Sequence, residues 1–147
     1  MILYLDTSSL VKLYVSEDGS ADVLDLVARS ELVATSVLAY PEARSAFARL
    51  RRENLVGSAE VRRLVAAFEA DWPHYLAIDV GEAVCRHAGD LAERHGLRAY
   101  DSIHLASFLV LSEAEVGAPL RFSSFDARLN AAARRESAAI AGRSRRT

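Results

Sequence analysis

Four acids in this sequence stand where a carboxylate can do chemistry as well as meet water. Asp6 ends the apolar run ILYL and is followed by three hydroxyls, Thr7, Ser8 and Ser9. Glu42 lies in SVLAYPEARSAF, Asp101 opens LRAYDSIHLAS, and Asp126 sits in LRFSSFDARLNAAA. Singly, each acid reads equally well as the partner of a helix dipole, which favours Asp and Glu in a first turn by about 0.3–1 kcal/mol. At equivalent ends of successive strand–helix units, four of them are harder to explain as independent caps. If they converge, two carboxylates about 4 Å apart repel by about 4 kcal/mol at an effective dielectric of 20. Either some hold protons, or a hard divalent cation sits among them. An all-oxygen site without clustered Cys or His favours Mg²⁺ or Mn²⁺. Ser8, two residues after Asp6, and Ser124, two before Asp126, can bond a carboxylate oxygen or a metal-held water; the alternative is helix N-capping. His104 shares the helix face of Asp101, three residues on. Imidazole is a poor partner for Mg²⁺, so His104 supports a neighbouring carboxylate or packs.

Something must bring these side chains together. Four apolar runs have strand character: Ile2 to Leu5, Glu31 to Thr35, Leu76 to Ile78 and Leu120 to Phe122. Helical patterns fill the intervals: SLVKLYV, SADVLDLVARS, a helix starting between Ser36 and Tyr40 and ending at Arg52, then Ser58 to Ala70, Glu82 to His95, Tyr100 to Leu111 and Phe125 to Arg135. Pro41 is tolerable only in a first turn. Alternating strands and helices predict an α/β domain with a mainly parallel sheet. In such sheets ligands gather outside the carboxyl ends of the strands, where three of the acids fall by chain geometry and Glu42 can reach from its helix start.

The 147 residues, 51% of them hydrophobic, suit one domain with a sizeable core. No apolar run approaches the roughly 18 residues of a membrane span, and the N-terminus lacks the flanks of a secretory signal, so the expectation is a cytoplasmic protein. Cys85, the single cysteine, is expected to be a small core residue. The net charge of −2 excludes a uniformly basic nucleic-acid coat, yet the charge is uneven. Asp6, Glu17, Asp18, Asp22 and Asp25 crowd the start, and Arg128, Arg134, Arg135, Arg143, Arg145 and Arg146 crowd the end, which predicts separate acidic and basic surfaces. Phe68, Trp72 and Tyr75 read as core or dimer-surface aromatics.

DTSSLVKLY, the Glu of SVLAYPEARSAF, LRAYDSIHLAS and FSSFDARLNAAA, in that order and spacing, resemble the PIN-domain ribonucleases, in particular the VapC-type toxins of toxin–antitoxin pairs. LRAYDSIHLAS is the most specific of these segments. The resemblance implies a three-layer α/β/α sandwich with a parallel sheet of order 3-2-1-4-5, spanning residues 1–142, with 143–147 as a basic C-terminal tail. It implies an acidic pocket of Asp6, Glu42, Asp101 and the more variable Asp126 that binds one or two Mg²⁺ or Mn²⁺ ions. The activity it implies is endoribonuclease cleavage leaving a 5′ phosphate and a 3′ hydroxyl. A homodimer and a VapB-type antitoxin whose C-terminal segment covers the pocket are further implications. The fifth strand would have to come from SAAIA, residues 137–141. Because an acidic pocket repels RNA, cations must hold the substrate around it. Arg49, seven residues after Glu42 and so on nearly the same face, is a candidate with Arg51 and Arg52; their other reading is a solvated basic helix end. Two rivals stand beside this reading. A phosphoaspartate enzyme would need a lysine after a late strand, and Lys12 is the only lysine; a noncatalytic PIN-like binding domain would keep the fold without the cleavage.

Overall fold

The computed structural model describes residues 1–115 and 117–144, with side chains up to residue 142. Four parallel strands form one sheet in the order β3-β2-β1-β4: β1 (Ile2–Leu5), β2 (Leu32–Ser36), β3 (Leu76–Ile78) and β4 (Leu120–Ser123). β1 is central, pairing Leu3 with Val33 of β2 and Tyr4 with Phe122 of β4. Buried along its whole length, it is apolar without alternation, as a strand covered on both faces must be. Its side chains still alternate between two cores. Ile2 and Tyr4 join Leu91, Leu105, Leu109 and Leu129 on one face. Leu3 and Leu5 join Leu10, Phe47, Leu64 and Phe68 on the other.

Helices α1 (Thr7–Val11), α2 (Ser20–Ala28), α3 (Ala39–Arg52) and α4 (Ser58–Asp71) contribute to that second core. α5 (Glu82–His95), α6 (Ala99–Ala114) and α7 (Ala127–Ser144) contribute to the first, which completes the three layers. α6 is buried over most of its surface and mostly apolar, with Ser102, His104 and Ser107 among its buried residues; it leads back to β4 and carries Asp101 in its first turn. Only Val37 and Leu38 separate β2 from α3, so Glu42 enters in the first turn of that helix, with Pro41 tolerated beside it.

The expected order holds for its first four strands, and the fifth strand does not form: residues 137–141 continue α7. Ala138, Ala139 and Ala141 favour a helix, and Ile140 alone supplies the β-branching that strands prefer. The expected tail at 143–147 begins inside α7, and Arg145, Arg146 and Thr147 lie outside the described residues. Cys85 is exposed on α5, contrary to expectation, because the buried stripe of that helix runs through Ala88 and Leu91 and turns Cys85 outward. Phe68 is a core residue, with Trp72 and Tyr75 packed against it. No described helix is long and apolar enough to cross a membrane.

α7 is tied to the end of α5 by Glu136, only 8% exposed, whose Oε1 accepts from Arg94 Nη1 and His95 Nε2, both at 2.7 Å. Burial works against its ionisation, but the bonds and charges of His95 and Arg94 outweigh burial and hold its carboxyl below the usual range. The stability this supplies is present above the unfolded carboxyl's ordinary value near 4.5 and is lost as pH falls through the lower folded value. Glu136→Gln is therefore expected to cost about 1.5–3 kcal/mol at neutral pH. Thermal melts should show the gap from wild type closing in acid; a gap constant with pH would contradict the assignment.

Candidate active site

Asp6 follows the last residue of β1 and caps α1. Its Oδ1 accepts from the Ser9 amide at 2.9 Å and from Ser8 Oγ at 2.7 Å, and its Oδ2 from Ser124 Oγ at 2.6 Å. The carboxylate is 4% exposed, and no ion pair among the described residues includes it. Burial pushes its pKa up, opposed by the three donors and the nearby His104. Ser8 and Ser124 also accept backbone amides, Phe125 N at 3.0 Å and Asp126 N at 3.0 Å. Both hydroxyls thus fasten the loop between β4 and α7 onto Asp6.

Glu42 is held across the sheet. Its Oε1 accepts from Thr7 Oγ1 at 2.7 Å and lies 2.8 Å from His104 Nε2. Thr7 has one proton and gives it to Glu42, so its contact with His104 Nε2 at 3.0 Å requires that Nε2 carry a proton. The other ring nitrogen, Nδ1, lies 3.1 Å from the Tyr4 hydroxyl. Burial raises the Tyr4 pKa well above the usual value, so this phenol stays neutral. Burial disfavours the ionised form of Glu42, but the bonds from His104 and Thr7, aided by the charges of His104 and Arg98, hold its carboxyl below the usual range.

Asp101 Oδ2 accepts from Arg98 Nε at 2.9 Å. That guanidinium is held more firmly protonated first by this bond and the charge of Asp101, then by the charges of Asp126 and Glu42. Acids from three helix starts therefore lie within electrostatic reach of one cation. Asp126 Oδ1 caps α7 through the Leu129 amide at 2.8 Å, so the capping role applies to that oxygen. Arg49 lines a cavity of about 430 Å³ together with Glu42, whereas Arg51 and Arg52 line a separate hollow with Ala48, Asn54 and Val61.

The donor chemistry suits a hard cation: the candidate ligands are all carboxylates. Glu42 Oε2, Asp101 Oδ1 and Asp126 Oδ2 have no protein donor among the described residues, and buried Asp6 has no ion-pair partner. No three His, Cys, Asp or Glu side chains among the described residues are grouped closely enough to hold a metal ion, and Glu42 and Asp101 are bonded to His104 and Arg98. The groups fit Mg²⁺ or Mn²⁺ in kind, and Arg98 occupies part of the acidic side of Asp101. Thr7 and Arg98 were not singled out from the sequence. The first lay in the hydroxyl run behind Asp6, and the second stands three residues before Asp101, the spacing of a helical ion pair.

The profile of the PIN domain family matches residues 3–135. The chain belongs to the PIN domain family. This PIN domain is 34% identical over 112 residues to ribonuclease VapC45 of Mycobacterium tuberculosis, covering 76% of this chain and 78% of that protein. Among solved structures it is similar to M. tuberculosis VapC20, a toxin that cleaves the sarcin–ricin loop, with TM-score 0.62 and 19% identity over 88% of this chain and 94% of that one. It is also similar to VapBC2 of Rickettsia felis bound to a DNA fragment from its promoter, with TM-score 0.53 and 15% identity over 84% of this chain and 100% of that one. At such identities the structural likenesses establish the fold.

Proposed function

We propose that this PIN domain is a divalent-cation-dependent endoribonuclease, the toxin of a VapBC-type pair. The observation that carries the reading is Asp6, a buried carboxylate at the end of the central strand with no ion-pair partner among the described residues; the charges of Asp6 and Glu42 both reach Tyr4, and those of Glu42, Asp101 and Asp126 all reach Arg98. The likeness to ribonuclease VapC45 over three quarters of both chains supports it. Mg²⁺ or Mn²⁺ would be held by Asp6 and Asp101, with Glu42 directly or through a water, and would supply polarisation of a phosphoryl oxygen and a lowered pKa for a water.

The remaining work falls to the chain itself. Ser8, the Ser9 amide and Ser124 fix both oxygens of Asp6. His104 and Thr7 hold Glu42 Oε1, which leaves Oε2 available. Asp126 spends Oδ1 on its helix and keeps Oδ2 for a water. Arg98, paired with Asp101, and Arg49, which lines a cavity with Glu42, are the sources of the positive charge that an acidic pocket needs to hold a polyanion. A homodimer and an antitoxin covering the pocket belong to the same proposal, and the VapBC2 assembly supports the pairing.

Purified protein incubated with total RNA should cleave it in Mg²⁺ or Mn²⁺, leaving 5′ phosphate and 3′ hydroxyl ends, and should stop when chelator is added. RNA left intact with either ion would make the chain a noncatalytic binder. Cleavage undiminished by chelator would remove the cation from the reading.

A further inference from the structure

Two exposed rings flank the acids. Tyr100, 59% exposed, immediately precedes Asp101, and Phe125, 48% exposed, immediately precedes Asp126. Scattered exposed apolar residues need no explanation, but each of these lines a concavity at the site. Tyr100 lines the cavity of about 430 Å³ with Glu42, Ser45 and Arg49. Phe125 lines one of about 270 Å³ with Thr7, Ser8, Lys12 and Arg49. Ala46 and Arg49 belong to both walls, so the two hollows adjoin along α3 with a guanidinium between them.

Phe125 is also fixed in place. Lys12 Nζ lies 4.3 Å from its ring centroid, and Gly19, at φ +89°, backs the ring so closely that a Cβ there would collide with it. Lys12 is itself held by Glu17 and the Asp18 carbonyl, so it steadies the ring. The Phe125 amide is bonded to Ser8 Oγ, one step from Asp6. A packed, half-exposed ring beside the proposed cleavage centre, with Arg49 in its wall and Lys12 against its face, has the character of a stacking platform, although Glu17 lines the same hollow. Base faces are open to such rings only where RNA is unpaired, because a helix buries them in its own stack.

We propose that Tyr100 and Phe125 are base-stacking residues, which hold unpaired nucleotides on either side of the phosphate presented to the acids and so determine where the chain is cut. This rests on the reading of the site as one that takes RNA. The test uses the full chain in chelator, so that it reads binding without cleavage. Single-stranded oligoribonucleotides carry 2-aminopurine at successive positions, and the duplex of the same sequence serves as competitor. Wild-type protein should quench two separated positions. Tyr100→Leu and Phe125→Leu should each weaken single-strand affinity about tenfold and abolish quenching at one position. Tyr100→Phe and Phe125→Tyr should retain both affinity and quenching, which separates stacking from a folding defect. Affinity unchanged in both Leu variants, or lost equally for single strand and duplex, would overturn the proposal. So would Leu variants that keep RNA affinity and instead lose binding of the partner antitoxin. Stacking in chelator without cleavage in Mg²⁺ would sink the nuclease reading alone; cleavage with indifferent rings would sink this one alone.

Discussion

Asp6→Asn is expected to fold, to melt higher than wild type at neutral pH and to cleave RNA on the order of a thousandfold more slowly. On the proposed function, the loss follows from removing a buried anionic ligand of the divalent cation. A divalent ion contributes several kcal/mol of charge stabilisation to phosphoryl transfer, and each 1.36 kcal/mol is about tenfold in rate. Folding survives because Asn keeps one acceptor oxygen for Ser8 Oγ and the Ser9 amide. Its amide nitrogen then faces Ser124 Oγ, which can rotate to accept from it while still accepting from Asp126 N. The stability change has a definite sign. Burial raises the folded pKa of Asp6 above its ordinary value near 3.8, so the protonated form suits the fold and the stability it offers is lost as pH rises through the folded value. At neutral pH the wild type carries that cost and the variant does not. Melts should therefore separate at neutral pH and converge below about pH 3.8. A fully active Asp6→Asn protein, or one less stable than wild type at neutral pH, would contradict the assignment.

The second large effect belongs to His104→Ala. The ring is 2% exposed, packs edge-on to Tyr4 at 6.2 Å between centroids, and bonds Tyr4, Thr7 and Glu42. Truncation opens a cavity and leaves the buried Tyr4 hydroxyl without this partner, which is expected to cost about 2–4 kcal/mol. It also frees Glu42 from the contact that aims it. Losing a residue that orients a ligand typically lowers metal affinity or activity about 10–100-fold. The Mg²⁺ concentration for half-maximal cleavage should rise with it, a readout that simple packing would leave alone. His104→Gln, which keeps a donor for Glu42, should recover part of the activity. Unchanged Mg²⁺ dependence in a folded His104→Ala protein would reduce the ring to packing.

Much of this arrangement was legible in the sequence because it depends on local signals. ILYL ending on Asp6 announces a buried strand stopping at a carboxylate, and Pro41, tolerable only in a first turn, confines the start of α3 to a few residues and keeps Glu42 near it. The fifth strand misled because SAAIA is apolar enough for either structure, and its alanines side with the helix. Cys85 misled because a lone small residue carries no phase, whereas the stripe through Ala88 and Leu91 does. Partners were hardest to read. Ser124 was legible as a hydroxyl for a carboxylate, but that the carboxylate is Asp6, 118 positions away, and that Thr7 meets His104 across 97, has no sign in a single sequence. Tyr100 and Phe125 read in the sequence only as the starts of helices, and it is their exposure in the fold that marks them out.

The most direct test of the acidic centre is a Mn²⁺ titration of the wild-type chain followed by electron paramagnetic resonance, run beside Asp6→Asn. The account predicts that wild type removes one or two equivalents of free Mn²⁺ from solution and that Asp6→Asn removes almost none at the same concentrations. Equal uptake by the two proteins, or no uptake by wild type, would contradict it.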